Sequence, residues 1–349
     1  MYLREQTKQI LVRDVKIGGD APVVIQSMTN TKTADVEATV GQILRLEEAG
    51  CQLVRLTAPD MESAAAFAEI KKRVNIPLVA DIHFDYRIAL ECIKNGADKI
   101  RLNPGNIGGA DRVAAVASAA KERGVPIRIG VNSGSVDKEL LAKYGAPTPD
   151  AIVESAFKHI NMLLDANFED IAVSLKTSDV VNTIECYRRF AEKSNLPLHV
   201  GVTEAGTVWT GSIKSAVGIG SILSGGIGNT VRVSLSGDPV EEIHVAKAIL
   251  KSLDLMPKGV NLVACPTCGR TNVDLPTIAE TVEKALADCS HNITVAVMGC
   301  AVNGPGEARE ADYGVACGKG EGLLFKKGEI VKKVPESEIV SALLELINE

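Results

Sequence analysis

Between residues 23 and 237 the chain repeats one pattern. A short β-branched apolar run is followed by a longer stretch with apolar residues at helical spacing, then by glycine or asparagine before the next run. The strand-like runs are VVIQSM (23–28), LVRLTA (53–58), PLVADIH (77–83), KIRLNPG (99–105), PIRIGVNSGS (126–135), DIAVSLKTS (170–178), PLHVGVTEAG (197–206) and TVRVSLSG (230–237). Their starts run from 23 to 230, so seven intervals cover 207 residues, about 30 each and the size of one βα unit. Segments between them, such as 35–50 and 148–167, carry apolar faces of helical period and stop at Gly50 and Asn167. Eight such units within ~250 residues predict an α/β fold, a (β/α)8 TIM barrel. A doubly wound open sheet competes, but it usually carries G-x-G-x-x-G after its first strand. Here the first strand runs into SMTNT (27–31), and neither that fingerprint nor a Walker sequence occurs.

The pattern changes after a last barrel helix read over 238–254. A spacer, LMPKGVN (255–261), leads to CPTCGR (265–270), a helix over 276–288, the strand NITVAVMG (292–299), a Gly-rich turn, a hairpin around KKGE (326–329) and a helix over 336–348. The reading is a barrel domain over 1–254 and a smaller α+β domain over 255–349. The leading segment ILVRDVKIGGDAP (10–22) reads as a hairpin able to plug the bottom of the barrel, and the Gly-rich GIGSILSGGIGN (218–229) reads as a turn.

Composition narrows the function. The 349 residues are 46 % apolar and 23 % charged, which is globular usage. A net charge of −6 and an aromatic content of 3 % argue against a nucleic-acid surface. No apolar run approaches the ~20 residues that span a bilayer, and MYLREQTKQI has no apolar signal core. These features point to a soluble, cytoplasmic protein with no membrane partner.

Eight cysteines stand at 51, 92, 186, 265, 268, 289, 300 and 317. Without a secretory signal, close spacing reads as metal or redox chemistry. Cys265-Pro-Thr-Cys268 sets two thiolates about one coordination edge apart, and Cys300, after 31 intervening residues, can close on the same ion or cluster. Three readings stay open: a structural zinc site, a dithiol, and a 4Fe–4S cluster whose fourth ligand is an oxygen. Cys51, Cys92, Cys186, Cys289 and Cys317 read as ordinary small packing residues.

A second signal lies inside the strands. Arg55, Arg101, Arg128 and Arg232 each have a small or polar residue two positions on, namely Thr57, Asn103, Gly130 and Ser234. Residues two apart face the same way. With Lys176 they would form a cationic ring where TIM barrels hold ligands, one or two of them paired with structural carboxylates. Guanidinium forks match phosphate oxygens, so the ring suggests a polyanion, most simply a diphosphate. Asn30, Asp81, His83, Asn106, Asn132, Ser133 and Glu204 would complete the mouth. Glu204, sharing a strand face with Val200 and Val202, is placed there as a proton donor or a group that orients one.

CPTCGR, GCAVNGPGE (299–307), ADIHFDY (80–86), IRLNPGN (100–106), GVNSGS (130–135) and VTEAG (202–206) occur in order over the whole chain. Together they resemble the IspG (GcpE) family of 4-hydroxy-3-methylbut-2-enyl diphosphate synthases, in the compact bacterial form. The resemblance implies a TIM barrel followed by a smaller α+β iron–sulfur domain. It implies reductive ring opening and dehydration of 2-C-methyl-D-erythritol 2,4-cyclodiphosphate in the non-mevalonate isoprenoid pathway. It implies a 4Fe–4S cluster on Cys265, Cys268, Cys300 and Glu307, with Glu307 the corner that yields to substrate. Substrate-binding positions would be Arg55, Arg101, Arg128, Asn132, Lys176, Arg232 and Ser234, with His83 beside them and Glu204 facing the reacting carbons. Flavodoxin or ferredoxin would supply electrons, to a homodimer whose sites are shared between chains. The competing class is a non-redox barrel resembling the pteroate synthases with a structural zinc appendage.

Overall fold

The computed structural model describes the chain except residues 258, 287, 288, 290, 301–305, 307, 308 and 349. It divides into two compact units, Met1–Met256 and Pro257–Glu349.

In the first unit eight parallel strands form one sheet: β3 (Val24–Met28), β4 (Leu53–Thr57), β5 (Leu78–Asp81), β6 (Lys99–Leu102), β7 (Ile127–Asn132), β8 (Ile171–Lys176), β9 (His199–Val200) and β10 (Thr230–Val231). Their spatial order is β8-β7-β6-β5-β4-β3-β10-β9, so sequence neighbours are spatial neighbours throughout. A parallel bridge from Val173 to Leu198 joins the two ends and closes the barrel. The helices lie between the strands: α1 (Val36–Glu48), α2 (Met61–Arg73), α3 (Tyr86–Lys94), α4 (Pro104–Ile107), α5 (Ala110–Arg123), α6 (Lys138–Tyr144), α7 (Pro149–Asp165), α8 (Val180–Ala191), α9 (Val208–Ser224) and α10 (Pro239–Ser252). Aspartates start several of them. Asp35, Asp60, Asp179 and Asp238 each accept a backbone N–H of the first turn, at 2.7–3.1 Å. A carboxylate at that position satisfies an orphan donor and complements the helix dipole.

Two sequence expectations shift. The runs at 197–206 and 230–237 give ladders of only two residues each, β9 and β10. A Cβ at Gly201 would lie 2.5 Å from the Arg232 carbonyl oxygen, so the two backbones approach closely just beyond these short ladders. The Gly-rich stretch read as a turn from 218 is helical as far as Ser224, the end of α9. A Cβ at Gly218 would sit 2.6 Å from Val202 Cγ2, so this glycine lets the helix approach the barrel wall.

Ahead of the barrel, β1 (Ile10–Val12) and β2 (Val15–Ile17) form the expected antiparallel hairpin. Ile10, Val12 and Ile17 are buried against Val24, Leu53, Val79 and Ala172, residues in the first two positions of four barrel strands. The plug seals the N-terminal end, which leaves the C-terminal strand ends for a ligand.

The second unit holds a sheet ordered β11-β12-β13-β14-β15, formed by β11 (Val260–Ala264), β12 (Ile293–Met298), β13 (Tyr313–Cys317), β14 (Glu321–Lys326) and β15 (Glu329–Pro335). The first three are parallel and the last two pairings antiparallel. Its core packs α11 (Leu275–Ala285) and the C-terminal helix Ile339–Asn348 on one face. The sequence pattern anticipates β12, the β14–β15 hairpin and both helices, but not β11, whose first two residues fall in the expected spacer, nor β13. Among the described residues no helix is long and apolar enough to cross a membrane.

If the hairpin is a structural plug, Ile17→Ala should destabilise the barrel by ~2–4 kcal/mol through the cavity it leaves. Urea unfolding followed by circular dichroism measures this, and an unchanged midpoint would show the hairpin to be dispensable.

Candidate functional site

Strand register assembles the site. Thr57, Asp81, Arg101 and Arg128 stand abreast on β4 to β7, and Asn132 pairs with Lys176 across β7 and β8. Alternate residues of a closed barrel point inward, and here they enclose a cavity of about 160 Å³. All eight substrate positions named from sequence line it: Arg55, His83, Arg101, Arg128, Asn132, Lys176, Arg232 and Ser234. Asp81, Ser174 and Thr203 line it as well. Ser174 and Thr203 were not singled out, although Ser174 stands two residues before Lys176 and shares its face.

Three of the four arginines have carboxylate partners, one more than the sequence reading allowed. Arg101 Nη1 donates to Asp81 Oδ1 at 3.0 Å, and Arg55 Nε lies 3.7 Å from Asp81 Oδ2. Burial alone would raise the Asp81 pKa, but Arg55 and Arg101 outweigh it and hold the carboxyl below its ordinary value. Arg232 donates from Nη2 and Nε to Glu242 of α10 at 3.0 and 3.2 Å. Glu242 also accepts from Ser27 Oγ and from the Leu235 N–H.

Arg128 and Lys176 differ. Among the described residues no carboxylate lies within 4 Å of either. Arg128 is 1 % exposed, with Nε and Nη1 unpartnered. Lys176 Nζ has His199 Nε2 at 3.4 Å. Burial, then the neighbouring guanidiniums, lowers the pKa of both, and burial lowers that of Arg55 to about 10. Four arginines and a lysine thus line this cavity with one carboxylate, Asp81, while Glu242 holds Arg232 from behind the wall. The arrangement is short of negative charge, and an anion with several oxygens would supply it.

Glycines make room for the charged heads. A Cβ at Gly130 would lie 2.5 Å from Arg101 Nε, and one at Gly201 would lie 2.7 Å from Lys176 Nζ. Gly130 therefore serves the arginine of the neighbouring strand, not the one two residues earlier in its own.

Glu204 departs from expectation. It is exposed and has φ +53°, and the cavity wall at this point is Thr203. The alternation argument assumed a strand running to 204, whereas β9 ends at Val200 and the chain then turns through a left-handed residue. Asn30 and Asn106 are also exposed and do not line the cavity.

In the second unit, Cys265 directly follows β11, and its N–H donates to the Val297 carbonyl of β12 at 3.0 Å. Cys300 stands two residues beyond the end of β12. These strands are parallel, so both cysteines leave the same edge of the sheet. The Cys268 N–H donates to Thr271 Oγ1 at 3.2 Å, and a Cβ at Gly299 would lie 2.8 Å from that same oxygen. The 265–271 loop thus rests against the residue preceding Cys300. Arg270 reaches both Cys268 and Cys300, whose charge and hydrogen bonding raise its pKa. Glu307 lies outside the described residues. Among the described residues no three His, Cys, Asp or Glu side chains close on a single metal-ion position. Cys317 is fully buried in β13, where desolvation pushes its thiol up to about 11. Cys51, Cys92 and Cys186 are likewise buried, and Cys289 half-buried.

Residues 7–247 match the family described as the GcpE TIM-barrel domain, and residues 261–349 match the GcpE protein C-terminal domain. A 4-hydroxy-3-methylbut-2-en-1-yl diphosphate synthase (flavodoxin) from Ruminiclostridium cellulolyticum is 62 % identical over 346 residues, covering 99 % of this chain and 98 % of that one. The protein of the same description from Clostridium perfringens is 59 % identical over 344 residues, 99 % of each chain. Among solved structures, the dihydropteroate synthase of Yersinia pestis superposes with a TM-score of 0.52 at 13 % identity, covering 70 % of this chain and 98 % of that one. This last likeness is one of fold alone.

Beneath the cavity, Lys99 shares the inward face of β6 with Arg101 and is fully buried, its Nζ unpartnered. Burial, then Arg128, lowers its pKa from 10.5 to about 7. Between those values the unfolded chain holds a proton that the folded chain lacks, so this lysine makes stability rise with pH from about 7. Lys99→Met should remove that rise and raise the melting temperature most at pH 6. Melting curves from pH 6 to 9 that run parallel for parent and variant would contradict the assignment.

Proposed function

The chain belongs to the GcpE family, and on that premise we propose how its residues carry out the reaction. It catalyses the reductive ring opening and dehydration of 2-C-methyl-D-erythritol 2,4-cyclodiphosphate to 4-hydroxy-3-methylbut-2-enyl diphosphate, a step of non-mevalonate isoprenoid synthesis. The observation that carries the residue-level reading is the charge imbalance of the barrel cavity, concentrated on Arg128 and Lys176. These two take the diphosphate oxygens directly. Arg55, Arg101 and Arg232, held in place by Asp81 and Glu242, contribute their remaining donors. Asn132 and Ser234 supply neutral hydrogen bonds, and His83 stands at the rim, 45 % exposed in its side chain. As the ring's C–O bond breaks, charge grows on a phosphate oxygen, and cations fixed in the barrel wall stabilise it.

Cys265, Cys268 and Cys300 fit a 4Fe–4S cluster by donor chemistry: soft thiolates suit iron–sulfur ligation, and a cluster takes ligands farther apart than a single ion does. Glu307 is the proposed fourth ligand, an oxygen that binds iron less firmly than the thiolates do. When bound, such a cluster supplies electrons at low potential. Flavodoxin is the proposed donor, as the names of the relatives suggest, and the cytoplasm the proposed location.

We place the working site between two copies of the chain. Only seven residues connect α10, ending at Ser252, with β11, starting at Val260. Fully extended they reach about 25 Å, and α10 runs back toward the end of the barrel opposite the cavity. A partner's second unit removes this constraint. Glu204, exposed and in a strained conformation, then faces incoming groups rather than the cavity wall.

Arg128→Ala or Lys176→Ala should weaken substrate binding by ~1.5–3 kcal/mol per lost charged hydrogen bond. Iron and sulfide content should stay at the parental level. Calorimetry on the holoenzyme tests this, and titration indistinguishable from the parent would remove the residue from the site. Co-expression of Cys300→Ser with Lys176→Ala tests the shared site. With sites in trans, half the dimers are mixed and each carries one intact site, so roughly a quarter of parental activity returns. With sites in cis, activity stays at the level of the separate variants.

A further inference from the structure

We propose that His199 is a positioning residue for Lys176: Thr230 fixes it as the neutral Nδ1–H tautomer, and its Nε2 is the acceptor that holds the lysine ammonium in the cavity. The inference rests on the phosphate role proposed for Lys176 and adds a residue beneath it.

With Lys176 held as the ammonium that a phosphate role needs, one arrangement of protons follows. Lys176 Nζ lies 3.4 Å from His199 Nε2, and His199 Nδ1 lies 2.7 Å from Thr230 Oγ1. An ammonium only donates, so Nε2 must offer its lone pair. Nδ1 then carries the hydrogen and donates to the Thr230 hydroxyl. His199 and Thr230 are register partners on β9 and β10, so the backbone sets their contact. All three side chains are buried.

The seam around this group is built for it. Gly201, two residues beyond His199, leaves the space that Lys176 Nζ occupies. The seam between β8 and β9 is short of ladder bonds, and Tyr187 bridges it. Its hydroxyl accepts from the Leu175 N–H at 3.2 Å and donates to the His199 carbonyl at 2.6 Å. The chain on either side of the Lys176–His199 contact is thereby tied to one buried phenol.

The charges around the pair require an acceptor there. Burial first, and then Arg128 on β7, Arg232 just beyond β10, Arg55 on β4 and Arg101 on β6, drive Lys176 toward the neutral amine. The negative groups nearby, Asp81 on β5 and Glu242 on α10, are engaged by arginines. Burial, and then Arg128, Lys176, Lys99 and Arg55, hold His199 well below its ordinary pKa, so it does not become a competing cation. A neutral imidazole lone pair favours the protonated lysine without neutralising it, which leaves the full charge for phosphate.

Nitrogen-detected NMR of the histidine-labelled full chain reads the tautomer directly. His199 should show a neutral imidazole with hydrogen on Nδ1, unchanged from pH 6 to 8. Thr230→Val keeps the shape and removes the acceptor for Nδ1–H. It should bind inorganic diphosphate about tenfold more weakly, the size of one charged hydrogen bond, and lose binding at a lower pH than the parent. Thr230→Ser should restore both. Hydrogen on Nε2 in the parent, or an imidazolium at neutral pH, overturns the proposal, as does parental affinity with a parental pH midpoint in Thr230→Val. If Thr230→Val fails to fold, the parental spectrum still decides. Parental diphosphate binding by Lys176→Ala would instead defeat the phosphate reading and leave the tautomer result standing.

Discussion

Closure of the eight-stranded barrel is the constraint on which the rest depends. Once the seam between β8 and β9 is joined, each strand's alternate residues are committed to an interior with no access to water except at one end. Hydrophobic residues occupy the plugged end, where the N-terminal hairpin packs on the first inward positions. Above them the interior carries Lys99 and His199 and the cavity-lining Arg55, Arg101, Arg128, Lys176 and Arg232. Burying that many cations opposes folding unless partners are built in.

The partners are deliberately incomplete. Asp81 serves two arginines from one buried carboxylate, and Glu242 reaches in from α10 to hold a third. Arg128 keeps two donors unpartnered, and Lys176 has a neutral imidazole where a carboxylate would have cancelled it. The barrel therefore keeps basic side chains without carboxylate partners at a rigid position, as the proposed recognition of a cyclic diphosphate and stabilisation of a departing phosphate oxygen require. Glycines 130 and 201 belong to the same design, since any side chain there would displace a charged head.

The second unit uses a looser principle. Cys265, Cys268 and Cys300 stand on loops beyond the ends of two parallel strands, β11 and β12, and are held by a few contacts, the Thr271 hydroxyl and Arg270 among them. A metal cluster can itself complete the order of such loops, because ligation and folding share one free energy.

Much of this was legible along the chain. The 30-residue repeat determined the barrel, since β-branched runs alternating with helical apolar faces have few other ways to bury themselves. The inward arginines followed from two-residue alternation, and the C-x-x-C spacing marked the thiol loops. Alternation holds only while the ladder holds. It failed at Glu204, because β9 ends at Val200 and Glu204 itself is in the left-handed region. The Gly-rich stretch 218–229 suggested a turn, but at 218 close packing on Val202 calls for a glycine inside a helix that runs to Ser224. Which cations are cancelled and which stay open could not be read from local pattern. Glu242 meets Arg232 from a helix, and Asp81, Arg101 and Arg128 meet through register across three strands. The sequence by itself determined the periodicity, the fold it forces and the kinds of chemistry available, because those depend on residues a few positions apart. Only the tertiary structure decided how the charges pair, because that depends on which strands and helices closure brings together.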